Sequence, residues 1–123
     1  MRALVVEDSS TIRKILCHYL KKMNIEVVEA VDGRDALERL KEMSLPDVVL
    51  VDWNMPVMSG IDFIRAVRET RTYDPLPLIM VTTNSDSEHL CTAMEAGANE
   101  FIQKPCTFEM LREKLDLLGL LAK

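Results

Sequence analysis

Short apolar runs and helical stripes alternate along the whole chain. "ALVV" near the N-terminus is a strand-length run, whereas Ile12, Ile15, Leu16, Tyr19, Leu20 and Met23 recur at helical spacing behind a Ser/Thr cluster at Ser9 to Thr11. "IEVVEA" reads as a second strand, Asp32-Gly33 as a turn, and Ala36, Leu37 and Leu40 as a helix stripe. "DVVLV" is the third strand, and a third helix carries Ile61, Ile64 and Val67 from Gly60 onward. The polar connection "ETRTYDPLP" leads into the strand "LIMV" and a helix over residues 86–96, which Gly97 closes in a left-handed cap. "NEFIQ" is the fifth strand, ended by Lys104-Pro105, and Phe108, Leu111, Leu115 and Leu118 mark the last helix.

Five strands alternating with five helices predict an α/β fold with a doubly wound parallel sheet, because parallel strands need crossovers and those crossovers are right-handed. The near-continuous apolar strands agree with burial on both faces. Strand order 2-1-3-4-5 is the expected one for a sheet of this size, although periodicity alone does not fix it.

The polar residues at the strand ends then acquire a meaning. Glu7 and Asp8 follow the first strand, Asp52 the third, Thr82 and Thr83 the fourth and Lys104 the fifth, all at carboxyl ends. In that order the first and third strands adjoin where the winding reverses, the place where open α/β sheets hold ligands. Three carboxylates and one ammonium leave an excess of negative charge, which either raises a pKa or recruits a cation. Oxygen donors without His or Cys suit Mg²⁺, or Mn²⁺, over zinc. The chemistry suggested is phosphoryl transfer, with Asp52 as nucleophile, Asp8 supported by Glu7 at the metal, and Lys104 and Thr82 on phosphoryl oxygens.

Composition narrows the function classes. The 123 residues fit one domain over residues 1–123, and the 48% hydrophobic content is that of a globular protein. A net charge of −5 with no basic block argues against direct nucleic-acid binding and for protein partners. Cys17, Cys91 and Cys106 are widely spaced and read as packing residues in a reducing, cytoplasmic setting, with no membrane span or export signal. His18 and His89 lack metal-ligand partners and take solvent-facing or packing roles; the methionines, among them Met55, Met58, Met80 and Met94, are read as gap-fillers. Leu90, Cys91, Ala93 and Met94 cover more of their helix than one buried stripe needs, leaving either a wide core face or a partner surface. The terminal leucines of "LDLLGLLAK" either pack down or fray.

Glu7-Asp8, "DWNMPVMSG", Thr82 and Lys104-Pro105 together resemble the receiver domain of bacterial two-component response regulators, in the single-domain, CheY-like chemotaxis form that is itself a standing example of the 2-1-3-4-5 order. The resemblance spans essentially the whole chain. It implies a phosphorylation switch in which a sensor histidine kinase, or a small donor such as acetyl phosphate, modifies Asp52 in a Mg²⁺-dependent step. Asp8, Asp52 and the backbone carbonyl of Asn54 would be metal ligands, with Glu7 acting through water, and Lys104-Pro105 a cis peptide. Thr82 would move toward the phosphoryl group and Phe101 would swing inward behind it. Leu90, Met94 and Phe101 would belong to an output surface of the fourth helix, fifth strand and fifth helix.

Some residues depart from the family pattern. Phe101 lacks the hydroxyl of the tyrosine often found there, which leaves ring rotation as the expected movement. Thr83 is larger than the Ala or Gly of many members and predicts slower phosphate access, while Asn54 and Asn84 occupy positions that tune phosphate lifetime, with a short, signalling-like lifetime expected. A monomer that docks on a flagellar motor switch or a phosphatase follows from the chemotaxis form; a phosphorelay intermediate or a regulator of another kinase stands beside it. The remaining alternatives are a Mg²⁺ phosphohydrolase or Toprim-like domain, which would want a second acid at Asn54, and a phosphate-independent binding module.

Overall fold

A computed structural model describes residues 1–83 and 86–121. Its strands are β1 (Arg2–Val6), β2 (Glu26–Ala30), β3 (Val48–Asp52), β4 (Leu78–Thr82) and β5 (Glu100–Gln103). Between and after them come α1 (Ser10–Lys22), α2 (Gly33–Glu42), α3 (Gly60–Glu69), α4 (Ser87–Ala96) and α5 (Phe108–Leu117). All pairings are parallel and the order is β2-β1-β3-β4-β5, as expected.

Alternate strand residues enter two separate cores. Leu4, Val6, Val49, Val51 and Met80 pack beneath α2, α3 and α4 with Phe63 and Ile64, whereas Val5, Leu50, Ile79 and Ile102 pack beneath α1 and α5 with Leu20 and Leu111. Every residue of β3 and β4 is buried. β2 forms an edge that shows Glu26 and Glu29 to solvent, a charge pattern that discourages further strand addition.

Each helix begins with a side chain that accepts a hydrogen bond from a first-turn backbone N–H: Ser9, Asp32, Ser59, Asp86 and Thr107. Such a cap contributes about 1 kcal/mol, and it fixes where the chain turns away from the sheet. Asp32-Gly33 is therefore a helix start, not the free-standing turn its composition suggests. A side chain on Gly33 would meet Met58 Cγ at 2.8 Å.

At the helix C-termini, Asn24 and Gly119 adopt positive φ, as does Gly97 at +119° in the expected left-handed cap. Paired backbone hydrogen bonds, Leu120 to Leu115 and Gly119 to Asp116, turn the chain back after α5. The terminal leucines consequently divide: Leu118, Leu120 and Leu121 pack on the second core and Leu117 stays exposed.

The polar connection before β4 contains a 3-10 turn at Arg71–Tyr73. Arg68 braces it. Its guanidinium donates to the carbonyls of Tyr73, Leu76 and Gly97 at 2.8 to 3.0 Å and to Asn99 Oδ1 at 2.9 Å. One side chain thus ties α3, the 3-10 turn and the α4–β5 corner together at the end of the sheet remote from the strand-end acids. Five donors in a rigid fork suit this use, which Lys could not reproduce.

Three surface assignments from the sequence need correction. Met94 is 48% exposed and fills no gap, Cys91 is exposed and not a packing residue, and Ile15 is 42% exposed despite its place in the helical stripe. Of the four apolar residues noted on α4 only Ala93 is buried, so the wide apolar face is not a core face. Among the described residues, no helix is long and apolar enough to cross a membrane.

Candidate functional site

Asp52 is the last residue of β3, and Glu7 and Asp8 follow β1 directly. Because β1 and β3 are hydrogen-bonded neighbours, one carboxylate oxygen from each of the three acids lies within 4.8 Å of the others. Their environments differ. Glu7 is 1% exposed and Asp52 6%, while Asp8 faces solvent.

Lys104 reaches in from the end of β5 and donates to both buried acids, at 2.9 Å to Glu7 Oε1 and 2.8 Å to Asp52 Oδ1. Its backbone N–H donates to the Thr82 carbonyl at 2.8 Å, fixing the approach. The Lys104-Pro105 peptide is cis. Burial pushes Glu7 from its ordinary 4.5 up to about 7, opposed by the Lys104 hydrogen bond and reinforced by the Asp52 charge. Burial works against the Lys104 ammonium, but its hydrogen bonds to Asp52 and Glu7 prevail and its pKa is raised. Lys104 is thereby the internal counter-ion of the two buried acids, Glu7 and Asp52, while Asp8 stands outside the pairing.

The all-oxygen donor set fits a hard divalent ion, and there is room for its waters. An open pocket of about 360 Å³ lies between Asp8, Trp53, Asn54, Met55, Pro56 and Ser59. The segment forming its wall is tightly made. Gly60 donates to the Trp53 carbonyl at 2.9 Å, and Met58 donates to Pro56 at 2.7 Å across Val57, whose φ of +69° is strained for a β-branched residue.

Thr82 is buried at the end of β4, one strand from Asp52. Thr83 is exposed and borders an apolar groove of about 300 Å³ lined by Ile12, Ile15, Pro105 and Cys106, with Lys104 at its edge. Asn84 lies outside the described residues. Phe101 is half-buried against the first core, with the Lys114 ammonium 5.4 Å from its ring centroid and 2.9 Å from Glu100. Leu90 is half-buried, and Met94 stands out from the same helix.

The response regulator receiver domain model matches residues 3–116. The chain belongs to the receiver domain family of response regulators. This receiver domain is 40% identical to the chemotaxis protein CheY1 of Helicobacter pylori over 119 residues, 96% of each chain. It is 38% identical to the chemotaxis protein CheY of Pseudomonas aeruginosa over 117 residues, 94% of each. The solved structure of Vibrio cholerae CheY4 superposes with a TM-score of 0.89 at 36% identity, covering 94% of this chain and 96% of that one. A receiver of this kind is a signalling switch and not a classical enzyme.

Sequence reasoning brought the acids, Thr82 and Lys104 to one end of the sheet but missed what surrounds them. It placed neither His89, whose ring lies against Trp53, nor the groove beside Lys104. Asp86 and His89 at cap spacing were visible in the sequence. The meeting of His89 with Trp53 depends on how α4 lies over the sheet.

Proposed function

We propose that Asp52 accepts a phosphoryl group from a sensor histidine kinase or a small donor and that the modified domain docks on a downstream protein. The observation that carries this reading is the Lys104 ammonium bridging Glu7 and Asp52, a cation placed to exchange a carboxylate partner for a phosphoryl oxygen. An Asp52 oxygen attacks phosphorus, forming an O–P bond while the P–N bond of phosphohistidine, or the P–O bond of acetyl phosphate, breaks. The leaving group takes the electron pair. An ionised carboxylate needs no general base, so orientation and charge are the protein's contribution.

Asp8, Asp52 and the Asn54 carbonyl would hold Mg²⁺, or Mn²⁺, with Glu7 acting through water, and the ion would neutralise charge on the transferring group. Lys104 holds one phosphoryl oxygen and the Thr82 hydroxyl donates to another. Phe101 follows Thr82 inward, changing the face that carries Leu90 and Met94. Asn54, Thr83 and Asn84 set how readily water reaches the acyl phosphate. Small donors also load Asp52, and the phosphate leaves by self-catalysed hydrolysis.

The names of the relatives favour chemotaxis, with a flagellar motor switch or a phosphatase as the docking partner of a cytoplasmic monomer. The groove beside Lys104 is the apolar rim a kinase would meet when presenting its phosphohistidine. Ile15→Asp is therefore expected to slow transfer from a kinase that phosphorylates the wild type by about tenfold, the effect of losing one buried anchor. The rate from acetyl phosphate, which needs no docking, stays within about twofold.

Mg²⁺ competes with the Glu7 proton, so its affinity is expected to rise with pH up through the Glu7 value of about 7. Titrations at about pH 6 and about pH 8 decide it, and equal affinities would overturn it. The sign for metal-free stability is opposite. A raised carboxylate leaves the folded state binding more protons than the unfolded one between 4.5 and about 7, so Glu7 makes stability fall as pH rises through that window.

Intact-mass spectrometry after incubation with acetyl phosphate tests the reading. A gain of one phosphoryl group only when Mg²⁺ is present supports it. No gain under conditions that modify another receiver domain returns the phosphate-independent binding module.

A further inference from the structure

The Trp53 indole adjoins Asp52 in the chain, lines the open pocket, packs against the first core and also meets α4. Its ring meets the imidazole of His89 with centroids 5.1 Å apart and planes at 67°. That imidazole is itself held. Nδ1 lies 2.8 and 2.7 Å from the two carboxylate oxygens of Asp86, the N-cap of α4, and Asp86 Oδ1 also accepts from the His89 backbone N–H at 2.9 Å.

The His89 backbone N–H and ring hold the Asp86 carboxyl below its usual range, which keeps it an acceptor and makes Nδ1–H the donor. The ring is thus fixed in orientation at one edge and pressed on the indole at another. Ala93 is the buried side chain of α4, in the half of the helix away from this contact. The ring pair is consequently a specific tie between the first turn of α4 and the wall of the pocket.

We propose that Trp53 and His89 form a relay from the phosphoacceptor to α4, separate from any movement of Thr82 and Phe101. The proposal rests on the phosphoacceptor reading of Asp52. Filling the pocket beside Asp52 shifts the indole, and His89, clamped to the cap residue, carries that shift into the first turn of α4. Trp53 and His89 act as positioning residues, since neither needs to touch the transferred group.

Cys91 supplies the readout. It is exposed on α4, whereas Cys17 is buried, and burial pushes the thiols of both Cys17 and Cys106 up to about 11, making them slow to react. The labelling rate of Cys91 by a soluble maleimide is measured before and after treatment with acetyl phosphate and Mg²⁺, with the labelled site assigned by peptide mass. Intact mass is recorded on every sample.

The wild type is expected to change its Cys91 rate on phosphorylation. His89→Ala is expected to gain the phosphoryl group yet lose more than about half of that change, a weakened coupling between sites. Its helix cap survives, because the bond from the backbone N–H to Asp86 is retained. Asp86→Asn, which keeps a cap oxygen but loosens the ring, falls between the two. His89→Phe, which keeps a ring against Trp53 without the Asp86 bond, recovers part of the response.

A His89→Ala protein that is phosphorylated and shows the full wild-type change overturns the relay and leaves the Asp52 reading standing. The relay is equally overturned by a phosphorylated wild type whose Cys91 rate does not move. A wild type that gains no phosphoryl group removes the Asp52 reading, and the relay with it.

Discussion

Asp52→Asn is expected to show no gain in intact mass after incubation with acetyl phosphate and Mg²⁺, under conditions in which the wild type gains one phosphoryl group. The effect is all-or-none, because an amide oxygen is a poor nucleophile and an acyl phosphate cannot form on Asn. The substitution is otherwise mild. Asn keeps the shape of Asp52 and an oxygen that can still accept from Lys104, which also retains Glu7 at 2.9 Å. Removing the Asp52 charge takes away one of the influences that raise Glu7, so Glu7 ionises more readily. Urea unfolding close to that of the wild type would separate lost chemistry from lost structure. Persistence of the mass gain would place the phosphoryl group on another residue and sink the assignment.

Gly60→Ala should damage the fold through a single methyl group. A Cβ on Gly60 would strike the backbone oxygen of Asp52 and fall 3.0 Å from its carbonyl carbon, closer than such atoms can approach. The obstacle is backbone, so no side-chain rotation relieves it. Either α3 retreats and loses the 2.9 Å bond from the Gly60 N–H to Trp53, or the end of β3 moves. Forcing extra volume into a closed site costs about 1–3 kcal/mol, and both escapes disturb the phosphoacceptor. A lower urea midpoint together with slower phosphorylation from acetyl phosphate is the expected pair of results. An unchanged midpoint would show that the strand end and helix start can separate freely.

The fold and the acid cluster were legible for a common reason. Apolar strands that stop abruptly at Glu7, Asp52, Thr82 and Lys104 show where each strand emerges from the core, and parallel topology brings those ends together. Helix boundaries were legible where chemistry marks them, as Asp86 and Gly97 do for α4. Asp32-Gly33 misled because the same dipeptide serves a turn and a capped helix start, and the bond from the Asp35 N–H to Asp32 and the close fit of Gly33 on Met58 distinguish them.

Orientation perpendicular to the chain was not legible. Whether Ile15, Cys91 or Met94 is covered depends on what packs over each helix face, and a periodic apolar pattern does not say how wide the buried stripe is. The contact of Trp53 with His89 is of the same kind, since it is set by the angle of a whole helix and by no local spacing.

The bracing by Arg68 gives that angle a mechanical meaning. Two of its hydrogen bonds, to the Gly97 carbonyl at 3.0 Å and Asn99 Oδ1 at 2.9 Å, secure the corner just beyond α4, two more tie it to Tyr73 and Leu76, and a side chain on Gly97 would strike Arg68 Cγ at 2.5 Å, so the guanidinium and that corner are fitted closely together. The opposite end of α4 rests on an edge contact between two rings. The helix is then a lever with its fulcrum at Gly97. Ten residues at about 1.5 Å each make an arm of about 15 Å, so a tilt of about 10° carries the first turn through roughly 2.6 Å while the fulcrum stays still.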